Sequence, residues 1–137
     1  KKGFKMTEYE IYTMFNSGRL IGAVSFIGSI IAIWLALRVA NLTRENADST
    51  VIQKIVSSAF GLIVLAGTFV SFTQAKTTWV ITAYNLELLE TRSEFSDGFI
   101  SYVGTTTLPV ESPSAMGLLF LAVVALMILS IIWTPKK

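Results

Sequence analysis

One uncharged run in the middle of the chain constrains its fold more than any other feature. Residues 55–75 lie between Lys54 and Lys76 and carry no charged side chain. At 1.5 Å of rise per residue, about 20 helical residues cross a hydrocarbon core of roughly 30 Å. The run therefore predicts a transmembrane helix that stands at the centre of the fold.

Two further runs of the same kind flank the central one. Residues 20–37 and 115–133 are also uncharged, and each is long enough to cross a bilayer. Only 15% of the 137 residues are charged, against about 25% in soluble domains. The sequence therefore predicts an all-α membrane protein, a single polytopic domain over residues 1–137, with three transmembrane helices at about 19–40, 51–76 and 114–134.

Capping patterns mark where two of the helices begin. Thr7 with Glu10, and Thr50 with Gln53, have the spacing of a capping box, in which each side chain bonds the other's backbone amide. The first box predicts a short amphipathic interfacial helix over residues 6–17. The alternative is that these residues are simply the first turns of the first span.

The segment between the second and third spans is predicted to be a structured loop outside the membrane, over residues 77–113. Helical periodicity predicts that the second span extends beyond the bilayer to about Arg92. We expect a turn at residues 96–98 and a short strand at residues 99–103. Ser112 and the proline after it favour the start of the third span.

Small residues recur at four-residue spacing within the first two spans. Lipid tails are as apolar as leucine, so helices in a bilayer associate where small side chains let their backbones approach closely. The predicted helix-packing positions are Ser25, Gly28, Ser29, Ala32, Ser57, Gly61, Gly67 and Ser71.

Residues able to carry chemistry are scarce. The chain has neither cysteine nor histidine, which removes the commonest thiolate, general base and transition-metal ligand. The three uncharged runs hold no ionisable residue of the kind that marks ion paths and proton relays in membranes. We therefore expect no catalysis, no cofactor and no metal site, and a net charge of +2 gives no reason to expect nucleic acid.

The one carboxylate cluster lies in the loop, at Glu87, Glu90, Glu94 and Asp97. These oxygens could hold a cation such as Ca²⁺ weakly, or contact a basic partner. A solvated helix face is the more ordinary explanation of such a stripe.

These observations favour a non-catalytic accessory or assembly subunit of a larger membrane complex, with lipid and other membrane subunits, in a homo- or hetero-oligomer, as its partners. The alternative is a self-assembling small channel or holin-like pore lined by serine-bearing faces. An enzyme would need a second chain to supply the missing ligands.

Basic residues set the expected orientation through the excess of Lys and Arg in cytoplasmic loops. Counted from Met6, three lie on the side of the N-terminus and five on the side of the C-terminus. The lysines at positions 1, 2 and 5 reverse this to six against five. We expect a bacterial or archaeal cell membrane, with the N-terminus outside and the C-terminus cytoplasmic.

Overall fold

A computed structural model of the chain describes residues 6–134. These residues form four helices and no strand: α1 (Glu8–Glu45), α2 (Val51–Glu87), α3 (Glu94–Val103) and α4 (Ala115–Trp133). By length and composition, α1, α2 and α4 are each able to cross a membrane. This confirms the prediction of a helical protein with three candidate spans. The lysines at positions 1–5 and 136–137, which entered the charge count, lie outside the described residues.

The helix α1 is continuous where a short interfacial helix was expected to end. The capping box at its start is present: the Thr7 hydroxyl accepts from the Glu10 amide at 3.3 Å, and the Glu10 carboxylate accepts from the Thr7 amide at 2.7 Å. The helix then runs unbroken through residues 16–18. Residues 6–17 therefore form no separate helix, and the alternative reading, in which they lead into the first span, describes them correctly.

Within this continuous helix, Gly18 lies where α1 packs against α2. A Cβ atom added there would lie 2.8 Å from Cγ2 of Thr78 on α2. The glycine is therefore a point where two helices approach closely, and it does not end the helix that was predicted over residues 6–17. Nearby, the Ser17 hydroxyl donates to the Thr13 carbonyl, so its polar group is satisfied within the helix.

Residues 94–103 form a helix, so the predictions of a turn at residues 96–98 and a strand at residues 99–103 are wrong. Ser93 caps α3 by accepting from the Ser96 amide at 3.3 Å. Gly104 ends it with φ at 74°, a left-handed conformation that favours glycine. Both caps are local signals of a helix, and they outweigh the strand propensity of the short apolar run.

The ends of the other two long helices also differ from expectation in detail. The Thr50 capping box opens α2 as predicted, and the helix continues to Glu87. Ser114 caps α4, accepting from the Gly117 amide at 3.2 Å, so the third span begins two residues later than the proposed Ser112 cap.

The three long helices pack as an antiparallel bundle around α2, which contacts each of the other helices. One end of the bundle, called here the α3 end, holds the start of α1, the end of α2, α3 and the start of α4. The opposite end holds the α1–α2 turn and the end of α4. One cluster of buried apolar residues lies toward this opposite end and consists of Ile33, Ala36, Ala40, Val124, Ile128 and Ile132. Further apolar residues are buried at the α3 end: Ile11, Phe15, Val80, Ala83 and Leu86.

Candidate functional site

The predicted helix-packing residues fall into three groups by exposure within this chain. Ser29, Ser57 and Gly61 are buried, whereas Ser25, Ala32 and Ser71 are half-buried. Gly28 and Gly67 are exposed, and a Cβ added at either would meet no atom within 4 Å. The same sequence pattern therefore covers positions with different surroundings.

Gly61 is a point of close approach between α2 and α4. A Cβ added there would lie 2.8 Å from Cγ2 of Ile128, whose side chain is 1% exposed. Gly117 on α4 is also confined, since its added Cβ would lie 3.1 Å from the ring of Phe72. These glycines allow the α2 and α4 backbones to come together.

Four hydroxyl groups of α1 and α2, those of Thr43, Ser57, Thr68 and Ser71, are hydrogen-bonded within the bundle. Thr68 and Ser71 donate to the carbonyls four residues earlier in α2. The Thr43 hydroxyl donates to its own helix, so Ser57 is the donor in the 2.6 Å bond that joins α2 to α1. These hydroxyls are hydrogen-bonded within their own helix or to the neighbouring helix. At these positions they form no continuous row of unpaired polar groups through the bundle.

At the opposite end, α4 is fastened to the start of α2. The indole nitrogen of Trp133 donates to the Ser58 hydroxyl at 3.1 Å, and the Lys54 ammonium lies 5.9 Å from the centre of the indole ring. Lys54 and Trp133 thus form a cation–π pair at the boundary of two apolar runs, where aromatic anchors belong.

At the α3 end, an aromatic cluster holds α3 against the bundle. The ring of Trp79 on α2 stacks on Phe99 of α3 at 5.6 Å, with 8° between the planes. Phe15 of α1 meets both rings edge to face, at 4.9 Å and 5.1 Å. The guanidinium of Arg19 lies 5.5 Å from the centre of the Trp79 ring. Each such contact contributes roughly 0.5–1.5 kcal/mol beyond burial, so α3 is a fixed part of the fold.

A polar network beside this cluster joins the start of α1 to the start of α3. The Glu8 carboxylate accepts hydrogen bonds from the hydroxyls of Ser93 and Ser96 and from the Ser93 amide. Because the Ser96 hydroxyl donates to Glu8, Tyr12 is the donor in the 2.9 Å bond between Tyr12 and Ser96. A carboxylate at the N-terminus of a helix also meets the positive end of the helix dipole.

The charge state of Glu8 follows from these bonds. Glu8 lies ahead of the uncharged run of α1, outside the candidate span. Hydrogen bonds from the Ser93 and Ser96 hydroxyls lower its pKa below the ordinary value for a glutamate, against an opposing contribution from desolvation. Glu8 is therefore ionised at neutral pH and holds α3 in place as a carboxylate.

The predicted carboxylate cluster is spread over two helices and the turn between them. Glu87 is the last residue of α2, Glu94 is the first of α3, and Glu90 lies between them. Asp97 forms an ion pair with Arg92, whose guanidinium also donates to the Glu87 carbonyl at 3.3 Å. Within residues 6–134, no group of three acidic side chains is arranged to hold a metal ion.

Sequence reasoning missed the residues that fasten α3. Glu8, Ser93 and Ser96 are not among the residues that the sequence analysis singles out. A signal was present, since Phe95, Phe99 and Tyr102 recur at the spacing of one helical face. The partner helix of that face is distant in the sequence, so the pairing itself could not be predicted.

Comparison of the chain with protein families, curated proteins and solved structures gives no match. The structure itself defines a class: a helical protein with three candidate membrane-spanning helices that pack together, which is consistent with a membrane location. Any function must therefore be argued from its surfaces.

Proposed function

We propose that this protein is a non-catalytic accessory or assembly subunit of a larger membrane complex. The observation that carries the proposal is a division among the glycines of the spans. Gly61 and Gly117 are used inside the chain, where an added Cβ would meet a neighbouring side chain. Gly28 and Gly67 are surrounded by open space, so packing within the chain does not account for them.

A glycine inside a helix is less favourable than alanine by about 1 kcal/mol. In a bilayer this cost is offset where a second helix packs against the glycine at close range. The antiparallel contacts of α1 with α2 bring Gly28 and Gly67 to similar depths, because Gly18 meets Thr78 near one end. Both glycines thus lie in the middle of the candidate spans, where another helix would cross.

The burial of the spans also favours a partner. The most apolar windows of α1 and α2 are each 17% buried, and that of α4 is 28% buried. Most of the spanning surface therefore faces outward from this chain, toward lipid or another subunit. At the α3 end, the aromatic cluster and the Glu8 network hold α3 as a fixed cap that would cover the outer side of such a complex.

The proposed orientation places this cap outside a bacterial or archaeal cell membrane and the α1–α2 turn in the cytoplasm. Its support is the count of Lys and Arg from Met6 onward, in which three of the five basic residues on the cytoplasmic side lie around that turn: Arg38, Arg44 and Lys54.

The test is the size of the particle extracted with its lipids in mild detergent from its own membrane, measured by native mass spectrometry. We expect a hetero-oligomer, which Gly28→Leu and Gly67→Leu convert to the free chain while its helix content stays unchanged. Ala59→Leu, a matched change on an exposed α2 position, is the control and should leave the complex intact. A free wild-type monomer would contradict the proposal, and a ring of identical chains that conducts ions in planar bilayers would favour the pore.

A further inference from the structure

An open groove of about 740 Å³ runs between α2 and the start of α4 at the α3 end. Its volume is in the range of about 300–1,000 Å³ that ligand pockets occupy. The floor is aromatic: Phe72 of α2 lies 6.0 Å from Phe26 of α1 and 5.8 Å from Phe120 of α4, measured between ring centres. The upper wall is formed by Trp79 and Tyr102.

The groove crosses the boundary of the candidate spans. Phe72 belongs to the uncharged run of α2, whereas Lys76 and Trp79 lie one and two turns further toward the α3 end. An occupant would therefore have its apolar part at the depth of the hydrocarbon and its polar part at the interface. That is the shape of a lipid.

One cation stands at the polar end of this groove. Lys76 is half-buried, and its ammonium donates one hydrogen bond, to the Ser112 carbonyl at 3.3 Å. An ammonium has three donors, so two remain for a ligand. No carboxylate lines the groove, and the other lining residues with polar side-chain groups are Tyr102, Thr105 and Ser114, which carry hydroxyls, and Trp79, which carries an indole N–H. The charge and the donors suit a phosphate, and they are set against apolar walls.

We propose that this groove binds an anionic phospholipid of the surrounding bilayer, with an acyl chain against the three phenylalanines and the phosphate at Lys76. A zwitterionic lipid would bring its own cation to the same place, where it would lose the charge complementarity. The site is independent of the subunit role proposed above, because it is built from this chain alone.

The native tryptophan of the groove can report its occupant. The chain has three tryptophans, so Trp34→Phe with Trp133→Phe leaves Trp79 as the only tryptophan, which can be excited selectively over tyrosine. In vesicles of phosphatidylcholine containing phosphatidylglycerol, bromine is placed on the acyl chains of one lipid or the other. We expect brominated phosphatidylglycerol to quench Trp79 with a preference of about fivefold over brominated phosphatidylcholine, the effect of one basic residue at a membrane surface.

Variants of Lys76 separate charge from structure. Lys76→Gln keeps a donor for the Ser112 carbonyl and should abolish the lipid preference, whereas Lys76→Arg should keep it. Ala75→Phe would fill the groove without removing the charge, and it should lower quenching by both lipids. Ala59→Phe, on α2 but outside the groove, is its control and should change nothing.

Arg19→Gln is the decisive control, because the Arg19 guanidinium lies 5.5 Å from the centre of the reporter ring although Arg19 does not line the groove. Loss of the preference in Arg19→Gln with retention in Lys76→Gln would overturn the assignment. Equal quenching by the two lipids in the wild type would also overturn it, as would displacement of phosphatidylglycerol by inorganic phosphate. A protein partner in the groove would appear as protection of Trp79 from both brominated lipids.

Discussion

Replacing Gly61 by alanine tests the packing of α2 on α4 with a single methyl group. The new Cβ would lie 2.8 Å from Cγ2 of Ile128 and 3.4 Å from its Cδ1. Ile128 is β-branched and 1% exposed, so its Cγ2 cannot turn away without a change of χ1 or a movement of α4. Gly61→Ala therefore strains the contact between the two backbones.

The magnitude follows from two opposing effects. Overpacking a tight core position lowers the free energy of unfolding by about 1–3 kcal/mol. The change from glycine to alanine in a helix raises it by about 1 kcal/mol. We expect a net loss of about 1 kcal/mol in the free energy of unfolding. Gly67→Ala, with open space around it, keeps only the favourable effect. The two variants should thus differ by about 1–3 kcal/mol.

Unfolding of the isolated chain in mixed micelles, followed by circular dichroism against increasing denaturing detergent, gives this difference. Ile128→Ala in the Gly61→Ala background supplies a further check, since it removes the atom that the new methyl group meets. The cavity of Ile128→Ala alone costs about 2–5 kcal/mol. The double variant should be more stable than the sum of the single changes predicts. Equal stability of Gly61→Ala and Gly67→Ala would refute the reasoning.

Three further predictions concern the α3 end and the orientation. Because the folded-state pKa of Glu8 is lowered, its stabilisation of α3 is complete above the unfolded pKa and is lost as the pH falls through the folded pKa. We therefore expect Trp79 fluorescence, in the variant that retains only this tryptophan, to change on acidification, and Glu8→Gln to show the loosened state already at neutral pH. Gly104→Ala forces a left-handed conformation on alanine, which costs about 1–2 kcal/mol. Hydrogen exchange should therefore show faster opening of α3, while the amides of the long helices keep their protection. The chain has no cysteine, so single cysteines can report the orientation. A cysteine replacing Thr91 should react with an impermeant thiol reagent added outside intact cells, and a cysteine replacing Ala47 should not. The reverse labelling would contradict the orientation.

How far the sequence predicts this fold depends on the range of each interaction. The three spans are predictable because exclusion of charge from the hydrocarbon acts on each run by itself. The Thr7 and Thr50 caps are predictable because a capping box is complete within four residues. The role of Gly18 was not, because glycine has the same appearance in a sequence at a helix end and at a helix crossing. Its partner Thr78 is known only once α1 and α2 are placed side by side.

The candidate sites illustrate the same limit. In the sequence, Lys76 marks the end of an uncharged run. That pattern is correct, but it gives no information on which distant residues surround the side chain. Its groove also needs Phe120 and Tyr102, which come from α4 and α3. The acidic stripe was predicted on one helical face, yet the chain turns between Glu87 and Glu94. A ligand site made from several elements is a property of the packing.

The side-chain contacts that hold the helices together are distributed unevenly along the bundle, and this distribution determines the expected effects of substitutions. Directed side-chain contacts concentrate at the two ends: the Glu8 network and the aromatic cluster at one, and Trp133 with Ser58 at the other. Between these ends, Gly61 meets Ile128 and the ring of Phe72 lies against those of Phe26 and Phe120, whereas a Cβ added at Gly28 or Gly67 would meet no atom within 4 Å. Substitutions at the ends should therefore weaken the fold of the chain itself. Substitutions at Gly28 and Gly67 should leave that fold intact and act only on what packs against it.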